Sequence, residues 1–414
     1  MTDPTTAATP LPTRCEVLVI GAGPAGSACA RTLAQGGVDV LLADQHAFPR
    51  DKVCGDGLIP DAYAALTRLG VLEQVMAQAQ PASHVGCVGP SGGRIDVPGT
   101  MAVLPRKQLD DILCKAAIAA GARMLPPARF ETPLEEAGRV VGARLKVGDA
   151  SHAIGCDWLV LASGAVPQAL IAADMCERRT PSGIALRGYV KNDAMIGRVT
   201  ALDVVWHRKL RPGYGWIFPC RDGVFNIGVG IAHSHNTLKN GRLGMKDVNL
   251  REVFAAFTEC YPPAHELMAG GTLLGELKGA PLRCTLEGAR FSRPGLLVSG
   301  EAAGTTYSFT GEGIGKALET GIYAAEAILG GRVVKTNDAT VRADYEARLL
   351  ALKPRFDLYE KANGVNIYPW LADLVIWRAK KSPRLLARMS GVLNETSNPG
   401  NLLSLKGLRR LFFE

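Results

Sequence analysis

The chain has 414 residues, too long for one small core and equal to about two or three domains. Hydrophobic residues make up 47% and charged residues 21%, which excludes disorder of the whole chain. No uninterrupted apolar run reaches the roughly 18 residues of a spanning helix, and the net charge of +8 is concentrated near the C-terminus.

Residues 1–14 are polar and proline-rich, without the basic start and apolar middle of a signal peptide, and are expected to be a frayed tail. Residues 15–20 (CEVLVI) read as a buried parallel strand. Gly21-Ala22-Gly23-Pro24-Ala25-Gly26 follows, then an alanine-rich helix stopping at Gly36-Gly37, then a strand ending in Asp44. This is the dinucleotide fingerprint in its full context. Gly21 permits the tight turn, Gly23 admits a pyrophosphate, Gly26 lets helix and strand pack closely, and Asp44 would accept ribose hydroxyls. The helix N-terminus offers free N–H groups to the phosphates.

FPRDKVCGDGL (48–58) is glycine-broken and rich in reactive side chains. Lys52, Cys54 and Asp56 read as a loop over something, with a nearby cation favouring the Cys54 thiolate; a cysteine that only packs is the alternative. Between 178 and 290, GIALRGYV, ALDVVWH and FNIGVG alternate partly like strands and suggest an antiparallel sheet. Trp206, Tyr214, Trp216 and Phe218 could line an apolar tunnel there, or be ordinary core aromatics. Residues 295–304 (GLLVSGEAAG) form a second strand ending in an acid, Glu301, and the glycines from Gly311 to Gly315 feed another helix. The Gly311, Gly313 and Ile314 amides can face a flavin edge where negative charge develops.

Residues 331–414 have helical spacing with expected breaks at Pro354, Pro369, Pro383 and Pro399. From Arg378 to Glu414, eight basic residues face two acids beside Trp370, Leu371, Leu374, Val375, Ile376 and Trp377. That mixture suits an interfacial helix on an anionic membrane, or a solvated helix packed on the body; nucleic acid is not expected, since no binding motif accompanies the charge. The ten cysteines show no C-x-x-C pair and read as free thiols in a reducing, cytoplasmic compartment. No H-E-x-x-H pattern occurs, so no metal site is expected, and no nucleophile elbow is read that would support a serine hydrolase.

VLVIGAGPAGSACA (17–30), FPRDKVCGDGL, RPGYGWIFPCRDGVFNIGVG (211–230) and SGEAAGTTYSFTGEGIGKALETG (299–321) together resemble the geranylgeranyl reductase family of FAD-dependent oxidoreductases, and within it bacterial polyprenyl-quinone side-chain reductases. The family belongs to the larger hydroxylase and halogenase-like flavoprotein group. The resemblance implies an α/β fold: a Rossmann-like FAD-binding domain (15–80 with 101–177 and 281–330), an inserted antiparallel-sheet substrate domain (81–100 with 178–280) and a C-terminal helical cap (331–414). It implies FAD contacts from Ala25, Asp44, Gly55, Asp56, Arg106, Glu301, Gly313 and Ile314. It places Cys54 beside the flavin, with Cys54, Tyr214 or an ordered water as proton source. The implied reaction is reduction of carbon–carbon double bonds of an isoprenoid or similar apolar chain by hydride from flavin N5. NADPH or a ferredoxin would supply the electrons. Glu301 stands where the family usually has Asp, and Ser163-Gly164 replaces an Asp-Gly pair, which weakens any carry-over of nicotinamide contacts. The alternative is a flavin monooxygenase acting on an aromatic or polyketide substrate, because fold does not fix chemistry. The substrate would be an apolar small molecule or lipid, with peripheral membrane contact through the basic C-terminal region; oligomeric state is not legible.

Overall fold

The computed structural model describes residues 11–394 except 233–234, 238–242, 246 and 335–336, and only the backbone of 235–237 and 243–245. The expected tail over residues 1–10 and the expectations for Pro399, Lys406, Arg409 and Arg410 lie outside the described residues, and Arg14, read as the end of that tail, already belongs to the first strand.

Two sheets organise the chain. In the first, the strand Arg14–Ile20 lies at the centre, parallel to Val40–Ala43 on one side and to Ala150–Leu161 on the other. Val19 sits opposite Leu42 and Val160 in register. Parallel strands covered on both faces need apolar residues at every position, which is why residues 17–20 form an unbroken apolar run, while Glu16 at the strand's start is only half-buried. Leu296–Val298 joins beyond Ala150–Leu161, and Arg123–Met124 beyond Val40–Ala43. Ala128–Glu136 and Arg139–Val147 add an antiparallel meander leading into Ala150–Leu161. No local signal announces this meander: its first strand is polar and half-exposed, and the second lacks a clean apolar alternation.

The helices Pro24–Gln35 and Ile314–Val334 pack on this sheet and on each other. Their approach is close because Ala25 is small and faces glycines. A Cβ on Gly300 would fall 2.5 Å from Ala25 Cβ, and one on Gly321 would fall 2.1 Å from the Ala25 carbonyl oxygen.

The second sheet runs Thr272–Leu273, Gly183–Lys191, Val224–Ala232, Gly213–Pro219, Leu202–Val205, Gln80–Val88, Arg94–Val103, Gly57–Leu58, with Lys278–Leu282 also on Gly183–Lys191. It is antiparallel except where Leu202–Val205 meets Gln80–Val88. Gly57–Leu58 belongs to this sheet, and Lys278–Leu282 straddles position 280, so neither segment respects the boundaries read from the sequence. Both strands are too short, or too polar, to signal their partners locally. Helices Leu250–Cys260 and Pro262–Ala269 cover one face through Phe254, Phe257 and Leu267. The other face turns toward the first sheet.

The C-terminal helices are Asp338–Ala362, Gly364–Ile367, Trp370–Ala379 and Pro383–Leu393. Pro354 does not break the first of them but lies inside it. A proline removes one backbone donor; here buried Leu349 on one side and Phe356 and Tyr359 on the other hold the helix against the body. Pro369 and Pro383 stand at helix starts, where the missing N–H costs nothing. Among the described residues no helix is long and apolar enough to cross a membrane.

Candidate active site

A cavity of about 1280 Å³ lies between the two sheets and runs on to the C-terminal helices. It is lined at one end by Gly21, Gly23, Ala25 and Asp44, and at its middle by Cys54, Gly55, Asp56, Arg106, Glu301, Gly311, Gly313 and Ile314. Beyond them come Trp206, Tyr214, Trp216 and Phe218, then Leu371, Val375, Leu385 and Met389 of the last helices. Gly26 is not among the lining residues; it acts through packing.

The glycine turn fits a dinucleotide by shape. A Cβ on Gly21, where φ is +98°, would fall 2.3 Å from the Ala162 carbonyl oxygen, and one on Gly26 would fall 1.7 Å from the Gly21 carbonyl oxygen. The first helix therefore starts hard against the turn, with its free N–H groups facing the cavity. Asp44 directly follows the strand Val40–Ala43; its carboxylate accepts the Ala22 N–H at 2.9 Å and the His46 N–H at 3.0 Å, tying the strand end to the turn.

A buried charge network stands beside the turn. Arg106, at the start of the helix Arg106–Ala119, donates from Nε and Nη2 to the two oxygens of Asp110 at 2.6 and 2.8 Å. Arg50 donates to Asp110 at 2.9 Å. Burial disfavours the Arg106 charge, but Asp110 more than offsets this and holds the guanidinium protonated. Arg50 and Asp110 were not singled out from the sequence. The four-residue spacing of Arg106 and Asp110 is a helical i,i+4 pair and was a usable signal for the second; nothing local marks Arg50.

The loop 51–57 departs from its sequence expectation in one respect. Burial, and then the Asp56 charge, push the Cys54 thiol up; Arg106 and Lys52 act the other way and are outweighed. Cys54 is therefore a protonated thiol at neutral pH, not the thiolate expected from a neighbouring cation. The expectation failed because local sequence shows the cations but not the desolvation. Asp56 is fully buried with φ +65°. Its carboxylate is occupied by protein donors: Tyr189 Oη at 2.5 Å, Asn226 Nδ2 at 2.7 Å and the Arg106 N–H at 3.2 Å. Burial raises its pKa to about 6.

The aromatic wall follows from strand geometry. Side chains alternate along Gly213–Pro219, so Tyr214, Trp216 and Phe218 share the cavity face while Gly215 lies against Phe257 behind the sheet. Ring centroids step 6.2 Å from Tyr214 to Trp216 and 6.4 Å on to Phe218. Trp206 lies 6.3 Å from Tyr214 and stacks on Phe309 at 5.9 Å. A Cβ on Gly228 would meet the Trp216 ring at 2.3 Å, so this glycine lets the ring lie flat across the neighbouring strand. Tyr214 donates its hydroxyl hydrogen to the Thr310 carbonyl, and burial pushes that hydroxyl up. It ties the wall to the glycine loop 311–313. Trp206 Nε1 donates to Asn366 Oδ1 at 2.8 Å, joining the wall to the C-terminal helices.

Fold and cradle define the class of protein, a flavoprotein oxidoreductase: residues 14–185 match the family described as an FAD binding domain. The chain is 33% identical over 366 residues to a menaquinone reductase of Mycolicibacterium smegmatis, covering 84% of each. It is 28% identical to a digeranylgeranylglycerophospholipid reductase of Methanopyrus kandleri, over 75% of this chain and 79% of that one. A geranylgeranyl bacteriochlorophyll reductase-like structure from Thermoplasma acidophilum superposes with a TM-score of 0.71 at 22% identity, covering 97% of this chain and 96% of that one. The chain belongs to the geranylgeranyl reductase family of FAD-dependent oxidoreductases.

Proposed function

We propose that this enzyme reduces carbon–carbon double bonds of an isoprenoid chain, with the glycine-cradle end of the cavity holding FAD and the aromatic end holding the lipid. The observation that carries the reading is the continuity of one cavity from the dinucleotide cradle, past a protonated cysteine, into an apolar chamber. Its relatives' names, menaquinone reductase and digeranylgeranylglycerophospholipid reductase, point the same way.

In this reading Gly21, Gly23, Ala25 and the first helix receive the pyrophosphate, Asp44 the ribose, and Arg106 with Glu301 the middle of the cofactor. Gly55, Asp56 and the Gly311, Gly313 and Ile314 backbone frame the ring. Gly26 holds the helix in place. Bound FAD, when reduced by NADPH or a ferredoxin, supplies the hydride. Cys54 Sγ–H delivers the proton to the other alkene carbon, and the thiolate left behind regains a proton from water. Arg106 and Lys52 stabilise that transient charge. Trp206, Trp216 and Phe218 orient the chain and exclude water. Tyr214 keeps its hydrogen on Thr310 and so sets the glycine loop; Cys54 is the stronger candidate for proton donor. The first sheet serves the cofactor and the second the substrate.

The test is anaerobic turnover of chemically reduced enzyme with an isoprenoid quinone or geranylgeranyl lipid, read by mass spectrometry. A gain of two hydrogens per bond is expected, slowed about 100-fold or more in Cys54→Ala, as for loss of a general acid. A product that gains oxygen, and only in air, would overturn the reading in favour of a monooxygenase.

The lipid enters from a membrane. The helix Trp370–Ala379 turns Leu371 and Val375 into the cavity and leaves Trp370 and Trp377 more than half exposed. Lys380, Lys381, Arg384 and Arg388 are exposed beside them, with Lys381 Nζ 4.4 Å above the Trp377 ring. This pattern suits peripheral docking at an anionic, cytoplasmic bilayer face. Replacing those four basic residues by Ala is expected to weaken binding to anionic vesicles by about 10³-fold, at about 1 kcal/mol per residue. Unchanged sedimentation with vesicles would remove the docking surface but leave the chemistry standing.

A further inference from the structure

Asn226 does not line the cavity; it is fully buried in the strand Val224–Ala232 beneath the cavity wall. Its Nδ2 donates to the Cys54 carbonyl at 2.8 Å and to Asp56 Oδ2 at 2.7 Å, and its Oδ1 accepts from Trp216 Nε1 at 2.9 Å. Two acceptors face the two N–H bonds and one donor faces the oxygen, so the amide has a single orientation without a like-on-like contact. Its hydrogen-bonding capacity is thus divided between the loop that carries Cys54 and the wall that carries Trp216. Trp216 Nε1 would lie only 3.6 Å from a Cβ on Gly55, so loop and wall are in near contact where Asn226 joins them. Tyr189 and the Arg106 N–H hold Asp56 from the other sides.

We propose that Asn226 is a positioning residue that sets Cys54 in register with the aromatic wall, and so aims the proton-donating thiol at the bound chain. The proposal rests on the reductase reading for its kinetic arm only. Asn226→Leu keeps approximate size and removes all three hydrogen bonds. In the FAD-loaded protein, Cys54 is expected to be alkylated by iodoacetamide about tenfold faster than in the parent, as the freed loop opens. In anaerobic turnover kcat is expected to fall about 100-fold, the cost of misplacing a reacting group by about 1 Å, with flavin content and substrate KM nearly unchanged. The double variant Cys54→Ala/Asn226→Leu should be no slower than Cys54→Ala, because the asparagine acts through the thiol.

Asn226→Asp supplies a second readout. At about pH 8 it sets a carboxylate against Asp56, whose other charged or titratable neighbours are Arg187, Arg106, Tyr189, Cys54 and Cys220; at about pH 5.5 the two acids share one proton and an O–H again donates to Asp56. Relative to the parent at the same pH, Asn226→Asp should therefore be slow and readily alkylated at the higher pH and recover in part at the lower one, where one O–H replaces the donor to Asp56 and the bond to the Cys54 carbonyl stays lost. Should Asn226→Leu not fold, this comparison within one folded variant carries both arms. Parent-like alkylation and turnover in the variants, or losses that add in the double variant, would overturn the proposal. If the parent itself reduces no isoprenoid bond, the function reading falls, and the alkylation arm alone decides whether Asn226 holds the loop.

Discussion

Arg106→Ala is expected to lower the unfolding free energy by about 3–5 kcal/mol, the cost of leaving a buried charge without its partner. Asp110 has no exposure, and Arg106 supplies both ends of its bidentate contact. Arg50 remains at 2.9 Å, so the lower end of that range is the more fitting figure. The same substitution takes a cation from beside the glycine turn, since Arg106 Nη2 lies 3.7 Å from where a Gly23 Cβ would stand. The protein should purify with little flavin. Replacing both partners, Arg106→Leu with Asp110→Leu, separates the two effects. An apolar pair of similar volume removes the Arg106 and Asp110 charges together and leaves Arg50 its 3.5 Å contact with Asp44, so denaturant titration should show part of the stability regained. Absorbance at the flavin band should show that cofactor retention is not. Full flavin content in Arg106→Ala would mean that the guanidinium does not serve the cofactor.

Gly26→Ala is expected to have an effect out of proportion to one methyl group. The added Cβ would lie 1.7 Å from the Gly21 carbonyl oxygen, 2.9 Å from its carbon and 3.3 Å from Val19 Cγ1. Two of these three are backbone atoms, which cannot swing aside as a side chain would. The helix start must withdraw from the turn by more than 1 Å, which the dense interior resists. Overpacking of this kind costs about 1–3 kcal/mol and sometimes more, and here it also opens the cradle. Loss of bound FAD, measured as flavin released on desalting, is the expected outcome. Gly330→Ala is the control. Gly330 is exposed within the helix Ile314–Val334, and a Cβ there meets nothing within 4 Å. A gain of about 0.5–1 kcal/mol is expected at that position, from helix propensity. A Gly26→Ala protein that melts with the parent and stays yellow would show that the turn is more plastic than its contacts indicate.

The division between what was legible in the residues and what was not follows the range of the interactions. The glycine turn is a short-range steric device: Gly26 answers Gly21 five residues away, and Asp44 binds the Ala22 N–H at a separation of 22. Although Gly21 also presses against Ala162, the spacing of this unit is set within itself, so its spelling shows in the sequence. The aromatics of Gly213–Pro219 were legible as a cluster, but the segment reads as a turn with an aromatic patch, and only the structure shows the strand whose alternation gives Tyr214, Trp216 and Phe218 one face. Pro354 marks the limit of local rules. A proline in a helical stretch is read as a break, yet distant packing through Leu349, Phe356 and Tyr359 holds that helix continuous.

The sequence by itself determined the dinucleotide cradle, the strand and helix types around it and the residues available for chemistry, because backbone sterics and side-chain periodicity act over a few residues. Only the tertiary structure decided how those residues behave. Cys54 carries its proton because of what surrounds it, not because of Lys52 two positions away. Asn226 meets Cys54 across 172 positions, and Trp206 meets Asn366 across 160. Arg50 meets Asp110 across 60, and the helices after residue 370 close the apolar end of a cavity that begins at residue 21. Desolvation and hydrogen-bond pairing depend on which distant segments are brought together, and that is settled only when both sheets and the C-terminal helices pack.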